Sequence, residues 1–254
     1  MNNWQPYLDF AVEIAWQAGR LTLQHFQSAM EVMWKADESP VTVADRGAEA
    51  LLRQRIEQRF PGHAIVGEEY GAAARDGEFR WILDPIDGTR SFVRGVPLYA
   101  TLVALEVAGE VVVGVANFPA LNEMVAAGKG LGATWNGRPC RVSSQSALSE
   151  SVVCYTDHRR LYRDPIKAAA WERIVEATQT QRGWGDAYGH CLVATGRAEA
   201  MFDPIMSVWD CAALLPILQE AGGTFTDWHG NPTIYGEEAM STNGAVLDAL
   251  LQMM

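Results

Sequence analysis

Apolar positions in the first third of the chain recur at helical spacing and then collapse into short runs. Pro6 followed by Leu8, Val12, Ala15 and Ala18 predicts a helix over 6–30, proline being favourable in a first turn. A second helix is predicted over 44–60, stopped by Pro61-Gly62-His63. AIVGEE (64–69) and WILD (81–84) then read as strands, and each closes on acid. From Ala100 the pattern changes to ATLVALEV, a turn at Ala108-Gly109, and VVVGVANF, which together predict a β-hairpin; NEMVAA adds a strand. Asn136-Gly137 is a tight-turn signal, and SVVCYT (151–156) is a further strand. A helix is predicted over 164–178, with more helix in YGHCLVATG, WDCAALLPILQEAGG and TNGAVLDALLQ. Pro216 argues against a straight helix in the second of these, and Gly222-Gly223 supplies its C-cap.

This mixture predicts an α/β (α+β) protein in two halves: 1–140, carrying most of the acidic motifs, and 141–254, carrying Asp210. Bulk properties narrow its partners. With 20 Lys and Arg against 31 Asp and Glu, the net charge of −11 argues against non-specific nucleic-acid binding and offers no basic cluster to a lipid surface. Residues 96–118 are the most apolar stretch but are broken by Glu106 and Glu110, so no membrane span is expected. The start of the chain lacks a signal-peptide pattern. Cys140, Cys154, Cys191 and Cys211 show no paired spacing and fit a reducing compartment, so a cytoplasmic location is expected.

The candidate chemistry lies in WILDPIDGTRSF (81–92). Asp84 and Asp87 stand three residues apart around Pro85, an arrangement that costs stability unless a cation lies between them. Hard divalent cations take oxygen ligands, and Mg2+ typically accepts one or two carboxylates plus water and substrate phosphate. The Ile86 carbonyl is a neutral donor, Gly88 lets a phosphate approach the backbone, and Thr89 begins a short helix. Alone, this stretch reads first as an Asp-Pro turn with Thr89 as an N-cap. The GEE at 67–69, which also closes an apolar strand, shifts the reading to a metal site, and Asp210 joins at a helix start. No P-loop, dinucleotide fingerprint, nucleophile elbow or HExxH occurs, and His25, His63, His158, His190 and His229 lack metal-ligand spacing.

GEE, DPIDGT (84–89), WD (209–210) and EAGG (220–223), with VMWK (32–35), VTVAD (41–45) and STNG (241–244), resemble the inositol monophosphatase family of Mg2+-dependent phosphatases over nearly the whole chain. The resemblance implies a layered αβαβα sandwich and a cytoplasmic homodimer. It also implies a site for up to three Mg2+, with Mn2+ as an alternative. Glu68, Asp84, the Ile86 carbonyl, Asp87 and Asp210 would be ligands, Asp45 would reach a third metal, and Glu69 would be a neighbour. Gly88 and Thr89 would offer backbone N–H groups to the phosphate while the Thr89 hydroxyl orients the attacking water. Catalysis would thus involve Glu68, Thr89 and Asp45 on a small phosphate monoester.

The chain departs from the inositol-specific pattern in GWGDAYG, which places Asp186 among positions that branch fills with small residues. Asp203 stands seven residues before Asp210, where the branch uses Glu. An added carboxylate suits a cationic substrate rather than a neutral polyol. GDAYG, LVATGRAEAMFDP and TDWHG resemble the histidinol-phosphate phosphatase branch. That resemblance implies hydrolysis of L-histidinol phosphate, with Asp186, Asp203 and Asp210 near the amine and Asp87, Gly88 and Thr89 near the phosphate. The alternatives are an inositol-1-phosphate or broad sugar-phosphate phosphatase, a phosphatase of 3′-phosphoadenosine compounds, and a non-catalytic regulator that kept the fold. Tyr188, His190 and Arg94 are weaker candidates: Tyr188 reads equally as a packing residue, and Arg94 as a surface one.

Overall fold

The computed structural model describes residues 3–28, 32–34, 40–72 and 77–254. Its frame is an eight-stranded sheet built from residues 64–139 and a five-stranded sheet built from residues 152–242. The larger sheet is an antiparallel meander through strands Phe79–Asp87, Ala100–Val107, Glu110–Phe118, Glu123–Gly128 and Gly132–Trp135, and Ala64–Gly67 adds in parallel beside Phe79–Asp87. Alternation along Phe79–Asp87 sorts its side chains to two faces. Trp81 and Leu83 pack with Ile14, Leu52 and Ile56 of helices Gln5–Leu23 and Val43–Arg59, while Ile82 faces Leu214 and Ile217 of helix Leu214–Glu220.

Helices Asp186–Ala194, Val208–Ala212 and Leu214–Glu220 fill the space between the sheets, joining Leu102 and Ala116 of the larger one to Phe225 and Met201 of the smaller. Beyond the smaller sheet, helices Pro165–Ala177 and Leu247–Leu251 close a third core around Trp171, Phe202 and Leu250. The layers run helix, sheet, helix, sheet, helix, which is the expected αβαβα sandwich. Among the described residues no helix is long and apolar enough to cross a membrane.

The hairpin turns fall where expected. Ala108 and Gly109 (φ 51° and 85°) join two strands, as do Asn136 and Gly137 (φ 49° and 74°). Four local expectations change. The first helix ends at Leu23 rather than 30, and the chain turns so that Gln27 Nε2 donates to the Gly95 carbonyl at 3.0 Å, a tertiary contact that overrides helical propensity. WILD is part of a longer strand that runs through Asp87. The run after Trp209 is two helices, broken at Ala213, because Pro216 has no N–H to give the carbonyl four residues before it. In TNGAVLDALLQ, Thr242 ends a strand and only Leu247–Leu251 is helical.

The break at Ala213 presses on the larger sheet. A Cβ at Gly114 would collide with the Ala213 carbonyl oxygen and lie 2.8 Å from Pro216 Cγ. A glycine in mid-strand is therefore what lets this pair of helices, and Asp210 with them, sit against the sheet. Gly114→Ala is expected to lower the free energy of unfolding in urea by about 1–3 kcal/mol, the usual cost of forcing an extra carbon into a packed core. Unchanged stability would show that the helices do not rest on that backbone.

Candidate active site

In a regular strand, residues three apart point to opposite faces. Asp84 pairs with Leu102 and Asp87 with Ala100, so Pro85 and Ile86 together oppose the single residue Thr101. This bulge restores the parity and brings Asp84 and Asp87 to one side. Pro85 suits the position because it has no N–H to leave unpaired. Thr101 Oγ1 donates to the Pro85 carbonyl at 2.9 Å, and the Ile86 N–H donates to Asp84 Oδ1 at 3.0 Å.

Asp210 arrives from the helical layer as the third residue of Val208–Ala212, where the Ser207 N–H donates to its Oδ2 at 2.7 Å. Carboxylate oxygens of Asp84, Asp87 and Asp210 all lie within 4.8 Å of one another, the one such acidic group among the described residues. The Glu68 charge reaches Asp84 and Asp210 from the turn after Ala64–Gly67, although Glu68 is outside that triplet. Asp45 faces the same side. Thr42 N–H and Oγ1 donate to its Oδ2 at 2.7 and 2.6 Å, while the Thr89 hydroxyl stands 3.5 Å from its Oδ1 and 2.9 Å from the Ile86 carbonyl oxygen. Asp45 therefore also caps its helix, a role that T-x-x-D in the sequence could have signalled.

A second group of acids adjoins the first. Asp186 opens its helix with φ 55°, a left-handed conformation uncommon outside glycine. Thr156 holds it there: Thr156 Oγ1 accepts from the Asp186 N–H at 3.0 Å and donates to Asp203 Oδ2 at 2.6 Å. Gly185 leaves room for this hub, since a Cβ there would lie 2.6 Å from Thr156 Cα. The next residue, Ala187, donates its N–H to Asp87 Oδ2 at 2.7 Å, so one helix start ties the two groups together. Asp186 Oδ2 lies 3.0 Å from where a Cβ of Gly88 (φ 77°) would stand.

Nothing in the sequence marked Thr156, a lone threonine after a strand. Tyr188 packs edge-on against Phe118 at 5.3 Å, and His190 is fully buried with Nδ1 2.6 Å from Ser241 Oγ, its imidazole pushed down to about 3 by burial. Arg94 caps the short helix Thr89–Val93 on the surface. Of the expected family segments, Lys35 lies outside the described residues.

Burial raises the six aspartates of the two groups. Asp84 and Asp87 stand well above the usual carboxylate range through burial, and then through Glu68, Asp87 and Asp210 for the former and Asp186 and Asp210 for the latter. Asp210 is pushed up to about 7 and Asp203 to about 8, in both cases first by burial. Asp186 rises to about 6 by burial, against the pull of Arg90. Asp45 is raised by burial despite its two bonds from Thr42. Such clustering is unfavourable for anions alone, and an all-oxygen donor set fits a hard divalent cation.

A model of the inositol monophosphatase family matches residues 3–251. The chain is 47% identical over 243 residues to a protein named histidinol-phosphatase from Chlorobaculum parvum, covering 95% of this chain and 93% of that one. It is 38% identical over 253 residues to a histidinol-phosphatase of Mycobacterium tuberculosis, covering 96% of each. Among solved structures, the extragenic suppressor protein suhB of Bartonella henselae matches with a TM-score of 0.91 at 28% identity over 98% of both chains. An inositol monophosphatase of Anabaena matches at 0.87 and 32%, covering 99% of this chain and 96% of that one. The family is generally Mg2+-dependent, which agrees with the chemistry of the acidic triplet.

The raised acids set a pH dependence. Each binds a proton in the folded protein that the unfolded chain has already lost above about pH 4. Their stabilising contribution is complete below that pH and is lost as the pH rises through about 6, 7 and 8 for Asp186, Asp210 and Asp203. A divalent cation offsets the repulsion that replaces it. The rise in Tm on adding Mg2+ is therefore expected to grow from pH 5 to pH 8, reaching about 2.7 kcal/mol of stabilisation at a hundred times Kd. An increment that is flat or shrinks over this range would show that Mg2+ does not bind at these acids.

Proposed function

We propose, because the chain belongs to the inositol monophosphatase family and is a phosphoric monoester hydrolase, that its substrate is L-histidinol phosphate. The observation that carries this reading is the second acidic group. Asp186 and Asp203 share the Thr156 hydroxyl beside the acidic triplet, and the Asp186 carboxylate lies against Gly88. A phosphate ester bearing an ammonium group suits such a neighbour, because charge-assisted hydrogen bonds to a carboxylate are strong where water is excluded. A neutral polyol gains less from it. The name histidinol-phosphatase carried by relatives at 47% and 38% identity supports the same choice.

In this reading Asp84, Asp87, Asp210, Glu68 and the Ile86 carbonyl hold Mg2+, up to three ions with Asp45, in the half formed by 1–140 together with Asp210 from 141–254. The cations supply neutralisation of the phosphate and easier deprotonation of water. The chain's own groups do the rest. Gly88 and Thr89 present N–H groups to the phosphate oxygens. The Thr89 hydroxyl, set between the Ile86 carbonyl and Asp45, orients the attacking water, and Asp45 or Glu68 receives its proton. The new P–O bond forms as the ester P–O bond breaks, and the leaving histidinol oxygen takes up a proton. Asp186 and Asp203 hold the amine end and so fix which ester lies in line.

The test compares phosphate release from histidinol phosphate and inositol 1-phosphate by the wild type and Asp186→Asn. Losing one partner of a desolvated charge pair costs about 2–5 kcal/mol, so kcat/KM for histidinol phosphate is expected to fall roughly 30- to 5,000-fold. The value for inositol 1-phosphate is expected to change by less than about threefold. Equal losses on both esters, or comparable wild-type rates on both, would contradict the assignment and leave a broad phosphomonoesterase.

A further inference from the structure

Glu49 is a fully buried acid that neither the metal site nor the substrate pocket uses. It lies one helical turn after Asp45 on Val43–Arg59. Both of its oxygens are engaged: Oε2 accepts from the Glu69 N–H at 2.7 Å, while Oε1 accepts from Arg53 Nε at 2.7 Å and from the Tyr70 N–H at 3.3 Å. Arg53 continues the clamp, since its Nη2 donates to the Gly71 carbonyl and its guanidinium stands 5.8 Å from the Tyr70 ring centre. Gly67 makes the clamp possible, because a Cβ there would occupy the space of the Glu49 carboxylate. Apart from the Glu49–Arg53 pair within the helix, these contacts are made to the segment 67–71, which carries Glu68. On the other side the Glu68 N–H donates to the Leu83 carbonyl at 3.2 Å, next to Asp84.

We propose that Glu49 and Arg53 are positioning residues for metal capture: their ion pair fixes the turn 68–70 so that Glu68 faces Asp84 and Asp210. This rests on the reading of Glu68 as a ligand. A carboxylate on a free turn would be drawn to water rather than toward two buried acids that repel it. Binding the two N–H groups after Glu68 removes that freedom before any cation arrives. Because Asp45 and Glu49 share one helix, the same element sets the cap near Thr89 and the entry of Glu68. GEE therefore acts as a unit with E-x-x-x-R on the preceding helix: the glycine makes room, the first acid faces the site, and the N–H of the second acid is the handle.

The test is titration calorimetry of Mn2+ binding to the whole protein, with metal-free Tm measured in parallel, for the wild type, Glu49→Gln, Arg53→Met and Glu68→Gln. Groups that orient metal ligands typically change metal affinity 10- to 100-fold, so Glu49→Gln and Arg53→Met are each expected to weaken Kd by about tenfold or more. Glu68→Gln is expected to weaken it at least as much. An unchanged Kd in both clamp variants, alongside a lowered metal-free Tm, would overturn the proposal and leave Glu49 a purely structural acid. Should Glu49→Gln fail to fold, Arg53→Met decides, because its target is only partly buried and its stem is retained. If Glu68→Gln also leaves Kd unchanged, it is the ligand reading of Glu68 that fails. A loss in Glu68→Gln without one in the clamp variants isolates failure of the positioning role.

Discussion

One extra residue in the strand Phe79–Asp87 turns two aspartates that regular pleating would send to opposite faces onto the same face. The rest of the molecule is arranged around that constraint. Burial holds the protons on Asp84 and Asp87, with Asp87 acting on Asp84, and Asp210, which enters the same space from the helical layer, acting on both. Such a cluster costs stability once its acids ionise, and a hard divalent cation would offset that cost. The fold tolerates the bulge because Pro85 brings no orphan donor and Thr101 ties down the Pro85 carbonyl.

The layers deliver the remaining pieces with little slack. Gly114 allows the broken helix pair that carries Asp210 to rest on the sheet. The start of Asp186–Ala194 gives an N–H to Asp87 and, through Thr156, fixes a second pair of acids next to the first. The two groups are thus mechanically joined: a shift of Asp186 and Asp203 would pull on a residue of the triplet. This linkage gives a physical reason why the specificity of such a site would rest on a few residues at one helix start.

The acids and most of the elements were legible in the sequence because they are local. DPIDGT, GEE and WD name most of the cluster, and the helical and strand periods name most of the elements, while the layer order followed from the family resemblance those motifs carry. What was not legible depends on partners far along the chain. That Asp84 and Asp87 share a face requires the register against Leu102 and Ala100. Thr156 acquires meaning only when the loop before Asp186 closes on it, and Glu49 only when the turn after Gly67 lies over its helix. The first helix stops early for a contact with Gly95. Asp45 shows the opposite error: read for chemistry, it is also an ordinary helix cap.

The central claim is that these acids are close because they hold divalent metal. It is tested most directly by anomalous diffraction from crystals of the protein grown with Mn2+, alongside crystals of Asp84→Asn. The expected result is an anomalous peak bounded by the carboxylates of Asp84, Asp87 and Asp210 in the wild type, weakened or absent in the variant. A map with no peak at that triplet, or with its strongest protein-bound peak elsewhere, would contradict it.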